Sequence, residues 1–137
     1  MKILIHESDN DIRQLYRVIF SPLNVELTFS ENAVETRAKA DRSQYDLVMM
    51  DVEFPTMEGL SVARSMVEER PDRPLLLVSS VPLEQNELAA PAKRSRSAIM
   101  MKPFNIAELR SLIRNLTGIQ SSTDSKPLHY LQPASVN

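Results

Sequence analysis

Four short polar segments of the sequence could carry chemistry, and each of them directly follows an apolar run. They are Glu7-Ser8-Asp9, Asp51, Ser79-Ser80 and Lys102-Pro103. Carboxylates that lie close together raise one another's pKa and are stable mainly around a cation, and ligands that are all oxygen favour Mg²⁺. An ammonium and a hydroxyl beside them suit an anion bound to the same metal. Brought together, these side chains would be typical of phosphoryl chemistry.

The apolar pattern predicts the elements that would bring these segments together. Short apolar runs predict strands at 3–5, 25–29, 47–50, 75–78 and 99–101. Helical spacing predicts helices at 12–19, weakly at 31–40, from Gly59 to before Pro71, at 84–90, and from Asn105 to a cap at Gly118. This alternation predicts an α/β protein, a doubly wound (βα)5 five-stranded parallel sheet with helices on both faces. Sites in such sheets lie outside the carboxyl ends of the strands.

Composition excludes several classes of protein. The chain has 137 residues, 42% of them hydrophobic, which suffices for one domain with its own core. Its two glycines, Gly59 and Gly118, exclude glycine-rich nucleotide loops, and the absence of cysteine excludes disulfides and thiolate zinc sites. A net charge of −2 gives no basic footprint for nucleic acid. Without an apolar run long enough to span a bilayer and without a signal peptide, the chain is expected to be cytoplasmic, with no membrane contact.

Four segments resemble those of response regulator receiver domains. KILIHESDNDIR resembles the opening strand and acidic turn, YDLVMMDVEFPTMEGL the phosphoacceptor segment, PLLLVSS the strand that ends in a hydroxyl, and MMKPF the Lys-Pro strand. They occur in the order and at the spacing of that family, from about Lys2 to Leu116. The resemblance implies the flavodoxin-like receiver fold and a place in two-component phosphorelay signalling.

The resemblance also implies a role for each site residue. Asp51 would be the phosphoacceptor, attacking the phosphoryl group of a phosphohistidine on a histidine kinase or phosphotransfer protein. Lys102, before an expected cis peptide bond, would hold one phosphoryl oxygen, and Ser79 would hydrogen-bond another. Mg²⁺ would be bound by Glu7, Asp51 and the backbone carbonyl of Glu53, whose side chain would face attacking water.

The sequence departs from the family pattern at two positions that bear on the site. Ser8 stands where the second acidic residue normally binds Mg²⁺, so we expect weaker metal affinity unless Glu7 or Asp9 contributes. Ile99 stands where an aromatic residue normally changes position with the hydroxyl, and isoleucine cannot make that movement. Pro91 also alters the face that the family uses for signalling.

These observations predict a stand-alone receiver, not an enzyme, that is phosphorylated on Asp51. We expect residues 1–118 to form the receiver domain and residues 119–137, rich in Ser and Pro, to form a flexible tail. Because such a tail is too short for an effector domain, the signal would pass by contact with a downstream protein target. The basic cluster Lys93-Arg94-Arg96 is a candidate docking element, although such clusters are usually solvated loops.

Three alternatives remain open at this stage. A pseudo-receiver adaptor would share the fold and bind partners without productive phosphorylation, as Ser8 and Ile99 would suggest. A phosphatase could use Asp51-Val52-Glu53 as a nucleophile motif, but it would need a later acidic pair that the sequence does not offer. A flavin binder would need a hydroxyl-rich phosphate loop in place of Glu7-Ser8-Asp9, whose carboxylates repel phosphate.

Overall fold

The computed structural model describes residues 1–53, 56–89 and 95–118. Within these ranges, five strands alternate with five helices, as the apolar pattern predicts. In chain order the elements are β1 (Lys2–His6), α1 (Asn10–Phe20), β2 (Glu26–Ser30), α2 (Ala33–Arg42), β3 (Leu47–Val52), α3 (Glu58–Glu69), β4 (Leu75–Ser79), α4 (Gln85–Leu88), β5 (Ser97–Met101) and α5 (Ile106–Thr117). The predicted tail at 119–137, Pro91 and most of the basic cluster lie outside the described residues.

The strands form one parallel sheet with the order β2-β1-β3-β4-β5, which confirms the doubly wound (βα)5 fold. β3 therefore lies at the centre, between β1 and β4. The register pairs Val52 with Ser79 and Ser79 with Met101, so that β3, β4 and β5 end at the same edge. This register brings Asp51, Ser79 and Lys102 to neighbouring positions although they are far apart in the chain.

Alternating side chains of the sheet enter two separate cores. One face of the sheet packs under α1 and α5, where Tyr16, Phe20 and Leu109 are buried. The other packs under α2, α3 and α4, where Ala63 and Leu88 are buried. Every residue of β3 is buried, as expected for a strand with helices on both faces. None of the helices in the described ranges is long and apolar enough to cross a bilayer.

Several element ends differ from the sequence-based expectation. β3 continues past the apolar run and includes Asp51 and Val52. α3 begins at Glu58 rather than at Gly59, after Met57 has turned the chain with a left-handed backbone (φ 54°). α4 is only four residues long instead of covering 84–90, because Ala89 leaves the helix with an extended backbone (φ −141°, ψ 142°).

The two caps predicted for the last helix are confirmed. The side chain of Asn105 accepts a hydrogen bond from the backbone N–H of Glu108 at 2.6 Å, which satisfies one of the free donors of the first turn. At the other end Gly118 has the left-handed backbone (φ 71°) of a C-terminal cap. These caps fix α5 directly after the cis Lys102–Pro103 peptide bond.

Gly59 lets α3 pack directly against the backbone of the predicted phosphoacceptor. Its Cα is so close to Asp51 that a Cβ would overlap the backbone carbonyl oxygen of Asp51 and touch the side chain of Met50. The constraint is therefore spatial and does not depend on an unusual backbone conformation. Glycine at this position sets how closely the helix approaches the end of β3.

Substituting Gly59→Ala is expected to destabilise the protein and displace Asp51. Alanine favours a helix by about 1 kcal/mol relative to glycine, but overpacking against a backbone atom costs about 1–3 kcal/mol, so the clash dominates. Urea unfolding should give a lower midpoint with an unchanged slope. The matched control Ser61→Ala, on the exposed side of the same helix, should change stability by less than about 0.5 kcal/mol. Equal stability of Gly59→Ala and the parent chain would contradict the close packing.

Candidate functional site

The centre of the site is an ion pair between the ends of β3 and β5. The side chain of Asp51 is only 6% exposed, and Nζ of Lys102 lies 2.6 Å from its Oδ1. The backbone N–H of Lys102 donates to the carbonyl of Ser79 at 2.8 Å, which extends the β4–β5 pairing to the edge of the sheet. The lysine is therefore anchored by the sheet on one side and by the aspartate on the other.

Glu7 contributes a second buried carboxylate from the end of β1. It is 6% exposed, and its Oε2 accepts a hydrogen bond from the backbone N–H of Asp9 at 3.2 Å. Burial raises the pKa of Glu7, and the negative charge of Asp51 acts in the same direction. Arg13 donates to the backbone carbonyl of Glu7 and forms an ion pair with Glu31 at 2.8 Å, which fixes the loop that carries Glu7.

Glu53 places a third carboxyl group beside the same aspartate, but on the exposed side. A hydrogen bond to Asp51 and the charge of Asp51 together raise the pKa of Glu53. Three carboxyl groups thus surround a single ammonium, that of Lys102. The site carries more negative charge than its own lysine can neutralise.

Ser79 lies at the predicted place but does not face Asp51 with a free hydroxyl. It is completely buried, and its Oγ donates to the carbonyl of Val81 at 2.7 Å and accepts from the N–H of Val81 at 3.0 Å. To bond a phosphoryl oxygen, the hydroxyl would have to give up its bond to the carbonyl of Val81. Ser8, by contrast, is exposed on the loop after β1.

The donor set fits Mg²⁺ in its chemistry. The predicted ligands are carboxylate and carbonyl oxygens. The negative charge of Asp51 adds to the effect of burial on the pKa of Glu7 and raises the pKa of Glu53, and a bound cation would relieve that repulsion. In the described ranges, no three side chains of His, Cys, Asp or Glu are arranged to hold a metal ion. The predicted set depends on only two side chains, Glu7 and Asp51, because Glu53 would contribute its backbone carbonyl.

Some residues of the site have roles that the sequence gives little reason to expect. Asp9 caps α1 by accepting from the N–H groups of Asp11 and Ile12, and its own N–H holds Glu7. Arg13 could be found only as part of the motif KILIHESDNDIR, since its contacts depend on the position of β2. The role of Gly59 could have been predicted, because a glycine shortly after a strand-end aspartate indicates close approach of the next helix.

The charge of this cluster also affects the pKa values of Tyr16, which is buried, and of His6, which is half-buried. Burial raises the pKa of Tyr16 above its usual range, and the charges of Glu7 and Asp51 add to the effect. Burial lowers the pKa of His6, while the nearby charge of Asp51 opposes that shift.

Comparison with known proteins supports the identification suggested by these residues. Residues 3–114 match the model of the response regulator receiver domain. The chain is 31% identical over 121 residues, 88% of its length, to the transcriptional regulatory protein KdpE of Staphylococcus aureus, and covers 52% of that protein. It is 23% identical to the response regulator receiver protein CpdR of Brucella abortus, of which it covers 95%. With the exception of CpdR, it spans about half or less of these and similar curated relatives.

A solved structure shows the same architecture. TrrA, a response regulator protein of Thermotoga maritima, is 25% identical to this chain, and the match covers 84% of this chain and 97% of TrrA with a TM-score of 0.66. That structure is a complex with Mg²⁺-BeF. A second structure, which contains TrrA with the histidine kinase ThkA, matches with a TM-score of 0.67.

Glu7→Gln is expected to stabilise the protein at neutral pH and to leave it unchanged in acid. Because the pKa of Glu7 is higher in the folded than in the unfolded chain, the stability present below the unfolded pKa is lost as the pH rises through the folded pKa. Glutamine avoids that loss and keeps an oxygen for the N–H of Asp9. Urea unfolding at pH 4 and pH 7.5, without divalent metal, measures the difference.

The matched control is Glu26→Gln, which removes an exposed carboxyl group at the edge of the sheet. It should show no pH-dependent gain. Addition of Mg²⁺ should reverse the order at neutral pH by stabilising the parent chain more than Glu7→Gln. A variant less stable than the parent chain at both pH values would show that ionised Glu7 is not a destabilising charge.

Proposed function

Since this chain belongs to the response regulator receiver domain family, we propose that it accepts a phosphoryl group on Asp51 from a histidine kinase or a phosphotransfer protein. The family acts in two-component signalling, and its members are signalling modules rather than classical enzymes. The observation that carries the proposal is the 2.6 Å pair of Asp51 and Lys102 at the carboxyl edge of the sheet. A carboxylate nucleophile and an anion-holding ammonium are there side by side.

In the proposed step, a carboxylate oxygen of Asp51 forms a bond to phosphorus while the bond from phosphorus to the histidine nitrogen of the donor breaks. The ammonium of Lys102 moves from Oδ1 of Asp51 to a phosphoryl oxygen, so its positive charge lies beside the negative charge of the transferred phosphoryl group. Mg²⁺, held by Glu7, Asp51 and the carbonyl of Glu53, would supply the positive charge that lets an anionic donor approach. Ser79 would exchange its bond to Val81 for one to the new phosphoryl group.

An exposed apolar stripe on α1 supports docking of the phosphodonor. Ile12, Leu15 and Val18 lie on one side of the helix and are 38%, 53% and 68% exposed. Residues three apart on a helix share a face, and exposed contiguous apolar surface is typical of protein contacts. The stripe begins in the first turn of α1, which follows the loop that carries Glu7. A helical phosphodonor seated on it would present its histidine to Asp51.

Signalling by protein contact is the second part of the proposal. Phosphorylation adds a charge of about −1.5 to −2 at the edge of the sheet, which biases the surface toward a downstream protein target. Ile99, which packs against the core under α2, α3 and α4, would transmit less movement than the aromatic residue usual at this position.

A pseudo-receiver adaptor is the alternative that specific observations favour. Ser8 supplies no charge for a metal, and the hydroxyl of Ser79 is already bonded twice to Val81. An adaptor would keep the fold and the apolar stripe while Asp51 served only as a partner for Lys102. The two proposals differ in whether the carboxylate of Asp51 becomes phosphorylated.

Incubation with acetyl phosphate and Mg²⁺ is expected to add one phosphoryl group to the intact protein. Mass spectrometry should show the gain in the parent chain and in Asp11→Asn, which removes an exposed carboxyl group near the site. Asp51→Asn should show none. Lys102→Met should reduce the rate by about a hundredfold or more, because one charge-assisted contact to the transferred group is lost.

Failure to label the parent chain under conditions that label another receiver would refute phosphorylation and favour the adaptor. Labelling that persists in Asp51→Asn would instead show that a different residue is the phosphoacceptor. A pulldown with the parent chain and Asp51→Ala then tests the output. Partners of a phosphorylated receiver should depend on Asp51, whereas those of an adaptor should not.

Ser8→Asp is expected to raise the affinity for Mg²⁺ by about tenfold or more, because it adds a charge beside the proposed cation. Calorimetric titration with MgCl₂ measures the change. Ser21→Asp adds the same charge at an exposed position beyond the C-terminal end of α1 and should alter the affinity by less than about twofold, since exposed charges at a distance are screened. Equal affinity of Ser8→Asp and the parent chain would place the metal away from position 8.

A further inference from the structure

A small cavity lies at the end of the sheet opposite Asp51. Its volume is about 150 Å³, and it opens to solvent between the ends of α2 and α3 and the starts of β3 and β4. The polar residues that line it are Ser43, Gln44, Tyr45, Arg70, Asp72 and Arg73. None of these has a role in the site described above.

Arg73 is buried at this cavity with three of the five N–H groups of its guanidinium unbonded. Its side chain is 9% exposed, and Nη1 donates to Oδ1 of Asp41 at 3.2 Å. Nε and Nη2 are buried and have no hydrogen-bond partner among the described residues. These two nitrogens form one edge of the guanidinium, the edge that binds two oxygens of a carboxylate or phosphate side by side.

The surrounding charges leave Arg73 incompletely neutralised. Asp41, its only acidic partner among the described contacts, is shared with Arg37, whose Nε lies 3.7 Å from Oδ2. Arg70 adds a further positive charge to the cavity. Asp72 also lines the cavity and would repel an anion, but it is exposed, so its carboxylate can remain in water.

We propose that this cavity is a binding site for a small oxyanion, held by the Nε and Nη2 edge of Arg73 and assisted by Arg70. The volume is below that of pockets for drug-sized ligands, about 300 Å³ or more, which limits the ligand to a phosphate or a small carboxylic acid. Because both nitrogens are shielded from water, the guanidinium must turn toward the cavity as the anion enters. Ser43 and Gln44 are then placed to complete the hydrogen bonds.

Titration with inorganic phosphate, followed by amide NMR at constant ionic strength, tests the proposal. Phosphate should shift the amide signals of residues 43–45, 70, 72 and 73, separately from any shift around Asp51 and Lys102. A parallel titration with acetate distinguishes the two sources of an oxyanion, and the tighter ligand identifies the preferred one. Arg73→Gln should weaken binding by at least about tenfold, since charge-assisted bonds are lost.

Two further variants make the test specific. Arg42→Gln removes an exposed charge next to the cavity and should change the affinity by less than about twofold. Arg73→Lys keeps the positive charge but lacks the paired N–H groups, so it should bind the anion more weakly than the parent chain does. This variant tests the proposal even if Arg73→Gln does not fold. The proposal is overturned if neither anion shifts the amide signals of residues 43–45, 70, 72 and 73, or if Arg73→Lys binds as tightly as the parent chain.

Discussion

The burial of a charged carboxylate at the end of the central strand is the constraint on which the rest of the site depends. Asp51 belongs to a strand with no exposed residue and is itself 6% exposed. A buried charge is costly unless it is paired and hydrogen-bonded. Lys102 supplies the opposite charge at 2.6 Å, and it can do so only because β5 lies two strands away with its end in register. The order of the strands is thus part of the electrostatics of the site.

The other two carboxyl groups have raised pKa values for different main reasons: burial is the larger cause at Glu7, with the charge of Asp51 adding to it, and contact with Asp51 is the larger cause at Glu53. One ammonium shared among Glu7, Asp51 and Glu53 leaves a surplus of negative charge, and protons are the nearest positive charges available. A proton and Mg²⁺ therefore compete for the same oxygens. Because Ser8 adds no negative charge, Mg²⁺ has a smaller advantage over the proton than it would have with a carboxylate at position 8. Metal binding at this site should therefore weaken as the pH falls toward the raised pKa of Glu7.

Periodicity predicts the fold well because burial on two faces leaves a strong pattern in the sequence. The runs at 47–50 and 75–78 are apolar throughout since both faces of those strands meet helices. The meeting of Asp51 and Lys102 follows from strand ends that align in any parallel sheet. The hydroxyl of Ser79 could not be predicted in the same way, because its bonds to Val81 depend on the backbone of the following loop. Likewise, the shortness of α4 depends on the extended backbone of Ala89.

Negative charge is stabilised differently at the two ends of the sheet, because the topology places the positive helix ends at only one of them. Helices in this fold run opposite to the strands, so the positive ends of α1, α3 and α5 lie at the edge that carries Asp51, where they favour a phosphoryl group. The opposite edge receives the negative ends of α2 and α3. The negative helix ends disfavour an anion there, so side chains alone would have to hold it. Arg73, buried with one edge of its guanidinium unbonded, offers paired N–H groups that match two oxygens of an anion, which the ammonium of a lysine does not.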